Sequence, residues 1–271
     1  MAGQRRRLRW WIVGVVVVVV LLVGGPFVYI HLIEGPAPGR LSLPSNRTGS
    51  VTTSPASSST VSGVWNVGAG SIVGYRVQEV LVGQQSTAVG RTTRVSGSIS
   101  ISGTSVVKGS FTVDMSSVKS DQSERNDQFD GRIMDVSAYP LAKFVLSSPI
   151  ALDAIPAGGT SQRYSATGDL TMHGVTKNVS FTVSAERRGT TIYVLADIPI
   201  VFANWNISNP SVGGFVTTQT TGTLEVLLDL TPGPGNAAVT GSSGAGSSAP
   251  GGGGPVTVPK TTVPELTVPS N

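Results

Sequence analysis

Cysteine is absent from all 271 residues. That excludes disulfides, thiolate nucleophiles and zinc–thiolate sites, so any domain in this chain takes its stability from its core. Histidine is scarce, with His31 and His173 alone, and the acidic group Asp121, Glu124, Asp127 and Asp130 has no second histidine to join it in a metal site; it reads as a solvated face. No G-x-S-x-G elbow occurs, which removes one common serine-hydrolase arrangement. His173 and Asp169 are four residues apart on one strand face, roughly 13 Å along it, too far for a hydrogen-bonded base and its orienter. The sequence predicts no catalytic residue, no metal and no cofactor.

Charge is also low, at 13% of residues, and its sign is unevenly placed. The formal net charge of +4 comes from the first 62 residues, where six arginines face one glutamate, whereas Val64 to Leu230 holds 12 Lys plus Arg against 13 Asp plus Glu. No basic patch interleaved with aromatics occurs there, so nucleic acid is not an expected partner.

There is one long apolar run. Arg5, Arg6, Arg7 and Arg9 precede Trp10 to Ile33, which contains Val15 to Val20 and no charged residue. At about 1.5 Å per residue the run is long enough to cross a hydrocarbon layer of roughly 30 Å. A cleaved signal peptide is the rival, but its apolar core is about 7 to 15 residues ending at a small-x-small site, and here the far end carries Phe27, Tyr29 and His31. Residues 1–33 are therefore expected to be a cytoplasmic basic stub and an uncleaved single-pass anchor, with the rest extracytoplasmic.

Two stretches lack core material. Residues 34–62 are rich in Pro, Ser and Thr and read as a linker that cannot bury enough to order itself. Residues 232–271 pass through PGPG, GSSGAGSS and GGGG into TVPKT, TVPEL and TVPSN, an extended solvated tail.

Residues 63–231 read as strand after strand. Period-two alternation marks Ser71 to Val82, Val95 to Ile101, Ser105 to Met115, Ala142 to Leu146, Arg163 to Met172, Val179 to Ala185, Ile192 to Ile198 and Thr217 to Leu230, about eight in all. It places Val73, Tyr75 and Val77 on one face, then Val107, Phe111, Val113 and Met115, then Leu170 and Met172, then Phe181 and Val183. Asp121 to Ile133 breaks the alternation. Asp121 stands three residues before Glu124 as in a capping box, and Phe129 and Ile133 share a helical face, predicting a short helix across the barrel. At about eight strands the interior either packs solid or holds a ligand, and alternation alone leaves a solid structural or adhesion module open.

The stretch Ala166 to Val183, ATGDLTMHGVTKNVSFTV, is an antiparallel hairpin turning at His173-Gly174. DLTMHGVTKNVSF resembles the signature hairpin of the YceI-like family, and SERNDQFDGRIMDVSAYPLAKFVLSS is similar to that family's helix, Tyr-Pro and strand. The resemblance spans roughly Val64 to Leu230. It implies an all-β, lipocalin-like antiparallel barrel around an apolar cavity, and a binding protein for an isoprenoid or other long-chain lipid instead of an enzyme. On that reading the ligand meets Val73, Tyr75, Val77, Phe111, Val113, Phe144, Leu146, Leu170, Met172, Phe181 and Val183, with Gly74, Gly97 and Gly109 as small inward positions and Trp205 at the barrel mouth. Two departures stand out: Gln78-Glu79 replaces a histidine common in relatives, and Asn178 replaces a proline.

Overall fold

The computed structural model describes residues 10–20, 37–44, 61–81, 83–152, 160–211 and 216–234. The basic stub, the far half of the apolar run, most of the linker and nearly all of the tail lie outside the described residues. Residues 10–20 form a helix, α1, and no helix among the described residues is long and apolar enough to cross a membrane.

The domain is an eight-stranded antiparallel barrel. Its strands are β1 (Gly63–Val67), β2 (Ile72–Leu81), β3 (Gln84–Thr92), β4 (Val95–Ser102), β5 (Ser105–Asp114), β6 (Leu141–Leu146), β7 (Ile150–Ala151), β8 (Gln162–Met172), β9 (Val175–Arg188), β10 (Thr191–Val201), β11 (Val216–Thr218) and β12 (Thr221–Pro232). They occupy eight ring positions because four pairs of strands share a place: β1 and β2 pair with successive parts of β12, β4 and β3 pair with those two strands on the other side, β6 and β7 both pair with β5, and β11 and β12 both pair with β2. β1, bonded to both β12 and β4, closes the ring. Closure matters because an open sheet of this length would leave unpaired edges.

The hairpin forms as its sequence requires. Met172 pairs with Val175, and the two residues between them, His173 and Gly174, both have positive φ (47° and 73°), the geometry of a type I′ turn whose twist matches the strands it joins. His173 Nδ1 lies 3.1 Å from the Trp205 carbonyl, and its ring meets Tyr139 edge-on at 4.8 Å.

Other expectations need correction. Val107 was expected to face inward but is exposed, and Val106 is buried instead. The β4–β5 register shifts between Ser100, opposite Lys108, and Ile101, opposite Val106. That bulge adds one residue and reverses the faces on either side of it. The predicted helix is α2 (Ser123–Gln128) followed by a π-helical turn, Phe129–Ile133. Asp121 does not cap it: the N-cap is Gln122, without a side-chain bond, and Asp121 instead accepts from Arg125 at 2.6 Å. β1 and β3 were not anticipated. β3, QQSTAVGRT, shows no alternation of its own and takes its register from nine paired residues of β2.

A stretch of the supposed linker is docked. Residues 37–44 lie across the outer face, where Arg76 donates to the Pro38 carbonyl, Arg91 to that of Gly39 and Arg188 to that of Pro44. Leu41 and Leu43 are half-buried there. Beneath this strap Glu225 is fully buried, with Arg76 Nε 2.6 Å and Arg91 2.8 Å from its two oxygens. Burial alone would raise the Glu225 carboxyl, but the hydrogen bonds and charges of the two arginines outweigh it and hold the group below the usual carboxylate value.

Candidate functional site: an apolar chamber with one polar niche

Inside the ring the apolar side chains pack in two large clusters and a small third one of Ala166, Val183 and Ala196. One large cluster gathers Met115, Phe129, Met134, Phe202, Trp205 and Ile207 at the α2 end; the other gathers Trp65, Ile101, Val106, Ile192, Leu228 and Leu230. Shared walls of these clusters enclose a cavity of about 310 Å³, within the range of small-ligand pockets, roughly 300 to 1,000 Å³. The core is therefore not solid, in contrast to the module reading.

Small residues help to keep that space open. Gly109 faces Leu146 at ordinary contact distance and lines the cavity, as do Ala166, Ala185 and Ala196. Gly74 borders the cavity as expected, but its missing Cβ serves the outer face. A Cβ there would meet the Gly90 carbonyl at 2.1 Å and Arg91 Cγ at 2.8 Å, so its missing side chain makes room for the arginine of the outer network. Gly97 has φ +143° and a Cβ there would fall 2.1 Å from the Ser110 carbonyl; it permits close strand approach and is not part of the cavity wall.

The structure brings together eleven of the twelve residues named from the sequence. Val73, Tyr75, Val77, Phe111, Val113, Phe144, Leu146, Leu170, Met172, Phe181 and Val183 all line the cavity. Phe144 and Phe181 meet edge-on at 5.5 Å, and Tyr75 stacks on Phe129 at 5.1 Å. Trp205 is the exception. It is buried in a 3₁₀ turn, its indole N–H reaches the Leu170 carbonyl at 3.3 Å, and it does not line the cavity. A large aromatic beside two amides suggested a lid, but the left-handed Asn206 (φ 55°) turns the chain so that the indole faces the packed cluster.

Polar groups reach this chamber at the α2 end. Glu79 lies on the wall and accepts from Arg125 at 3.2 Å, while the same guanidinium donates to Asp121 at 2.6 Å. Burial pushes the Tyr75 phenol up to about 12, so it stays protonated and a hydrogen-bond donor at any physiological pH. Glu79 was visible in the sequence as a departure from relatives. Arg125 and Thr218 also line the cavity and were missed: Arg125 stands inside the SERNDQFDG stretch, where nothing in the residue pattern turns it inward, and Thr218 is on β11, which is only three residues long.

Comparison with known proteins agrees with this architecture. The family model for the YceI-like domain matches residues 56–230. A polyisoprenoid binding domain from Saccharophagus degradans implicated in plant cell wall breakdown superposes with a TM-score of 0.52 at 16% identity, covering 63% of this chain and 99% of that one. Burkholderia cenocepacia BcnA is similar at a TM-score of 0.44 and 24% identity, covering 57% of this chain and 95% of the other. The Campylobacter jejuni YceI protein follows at 0.37 and 14%, covering 50% and 80%. No curated protein sequence matches. With the family model covering well over half of the chain, and a closed eight-stranded barrel around an apolar chamber, this protein belongs to the YceI-like family.

Proposed function

We propose that the barrel is a lipid-binding protein that holds an isoprenoid-like or other long-chain amphiphile for transport, storage or sequestration beside a membrane. One observation carries the reading: the chamber wall is almost wholly hydrocarbon, contributed by nearly every strand of a closed ring. Apolar surface facing a space of that size is a standing cost in water, and an alkyl or prenyl chain removes it at about 25 cal/mol per Å² covered. The fold neighbour described as a polyisoprenoid binding domain supports the same ligand class.

The proposal includes the anchor. Trp10 to Ile33 would span the bilayer with the arginines inside and the barrel outside, in keeping with the positive-inside rule. A protease added to wall-stripped cells should release a soluble domain; full protection would reverse the topology.

The direct test is to purify the intact protein in detergent, extract it with organic solvent and identify co-purifying lipid by mass spectrometry. A stoichiometric long-chain lipid is expected. Val183→Trp supplies the control, because Val183 lines the chamber and Ser184, its neighbour on β9, projects to the opposite face. The indole should displace ligand carbon and abolish capture while thermal stability changes little, and Ser184→Trp should capture normally. If Val183→Trp unfolds the protein, or both variants capture alike, the chamber is not the binding site.

A further inference from the structure

The cavity wall carries a hydroxyl that the fold leaves unsatisfied. Thr218 is 6% exposed, lines the cavity, and its Oγ1 has no hydrogen-bond partner. Thr218 stands directly across from Glu79 in the β2–β11 pairing, and residues opposed in this way project to the same face. The hydroxyl therefore shares one niche with the Glu79–Arg125 pair. An unpartnered buried hydroxyl carries its desolvation cost uncompensated, and a polar atom supplied from the cavity would relieve it.

The charge of the niche decides what kind of atom that is. The groups acting on Tyr75 are Arg125, Glu79, Asp121 and Asp130; Asp130 is paired with Lys119 at 2.8 Å, and Arg125 is shared by Glu79 and Asp121. Two cations thus face three carboxylates. Lys143 on β6 also borders the cavity, but the residue is exposed and stands between the inward-facing Ala142 and Phe144, so alternation turns its ammonium to the outside. A phosphate or diphosphate entering this end would be desolvated against a net negative surround.

On the lipid-binding reading proposed above, we infer that the polar end of the bound amphiphile is an uncharged oxygen group, a hydroxyl or a carbonyl, hydrogen-bonded by Thr218 Oγ1, and that phosphorylated ends are excluded by the carboxylate excess around Arg125. The chemistry is that of a free isoprenoid alcohol or a quinone-type carbonyl. Chain recognition and head recognition are separate here, one by the apolar walls and the other by the niche.

Three probes of equal chain length test this on the full-length protein in one detergent: farnesol, farnesyl diphosphate and the hydrocarbon farnesene, with affinities read by calorimetry. Farnesol is expected to bind at least about tenfold more tightly than the diphosphate. Thr218→Val, which keeps the shape and removes the hydroxyl, should weaken farnesol about two- to tenfold and leave farnesene unchanged, with the circular dichroism of the variant confirming its fold. Glu79→Gln should narrow the gap between alcohol and diphosphate. Equal or tighter diphosphate binding overturns the inference, as does a Thr218→Val effect that is the same on alcohol and hydrocarbon. Should none of the three probes bind, the lipid-binding reading itself falls and takes the inference with it.

Discussion

Arg76 and Glu79 stand three residues apart on β2 and point to opposite sides of its wall, and each is half of a buried or part-buried ion pair. Outside, Glu225 is fully buried with a guanidinium on each oxygen, and the docked strap adds backbone carbonyls for both arginines. Inside, Glu79 and Arg125 meet at 3.2 Å next to an unpartnered hydroxyl. The outer network is organised around a carboxylate whose partners come from its own chain, and the inner one has bonding capacity left over. The outer carboxylate is closed on both oxygens by partners of its own chain, with only Arg91 Nε left over, whereas the inner niche leaves a hydroxyl open toward the cavity.

The comparison breaks most visibly at Glu225. Glu225→Ala strips the carboxylate from two arginines held against it and is expected to cost about 3 to 5 kcal/mol of stability, measured by urea unfolding, with lipid capture of the remaining folded protein unchanged. A change below about 1 kcal/mol would mean the network is solvated. Deleting residues 37–44 removes three arginine–carbonyl bonds and the cover of Leu41 and Leu43. The expected loss is smaller, about 1 to 3 kcal/mol, and a melting temperature that does not move would show that the strap contributes nothing.

Acid sharpens the contrast. Because the folded-state pKa of Glu225 lies below its ordinary value of 4.5, the stability it contributes is present above that value and is lost as pH falls through the folded pKa. Asp229, whose carboxyl is pushed up by burial, acts in the opposite sense. The difference between the native chain and Glu225→Gln isolates the first effect: the gap in unfolding free energy should close as pH drops below about 4.5, and a gap independent of pH would remove Glu225 from the account. The smallest effect belongs inside. Glu79→Gln should change stability by less than about 1 kcal/mol, since its pair is partly solvated; a larger loss would make the niche structural.

Residue patterns announced the wall of the barrel far better than its polar features, and the reason is physical. Period-two alternation is a direct consequence of one buried sheet face, so Leu170, Met172, Phe181 and Val183 could be oriented before any fold was known, and the two positive φ angles at His173 and Gly174 follow from the loop length. The bulge that exposes Val107 leaves no mark in composition, because it arises from pairing with β4. β3 was silent for the same reason. The strap escaped notice since its anchoring groups are backbone carbonyls, which every residue has, met by arginines 38 to 144 positions away. Thr218 is one of many threonines; only its place across from Glu79 distinguishes it.

The docked strap also sets a tether length. If the membrane span ends at Ile33 as proposed, four residues separate it from Pro38, five Cα–Cα steps and at most about 18 Å of extended chain. With residues 37–44 seated on Arg76, Arg91 and Arg188, the β2–β3 side of the barrel rides at the headgroup layer whatever the length of residues 45–60. Unseating the strap would let the whole stretch from Ile33 to Val61 pay out, a reach of about 100 Å at full extension. A quencher at the bilayer surface and a fluorophore on β3 would distinguish the two lengths, and equal quenching in native and Arg76→Ala, Arg91→Ala protein would leave only one. On the proposed function, the seated molecule would be a lipid berth fixed to the leaflet, and the unseated one a carrier with a radius of action wide enough to reach beyond that surface.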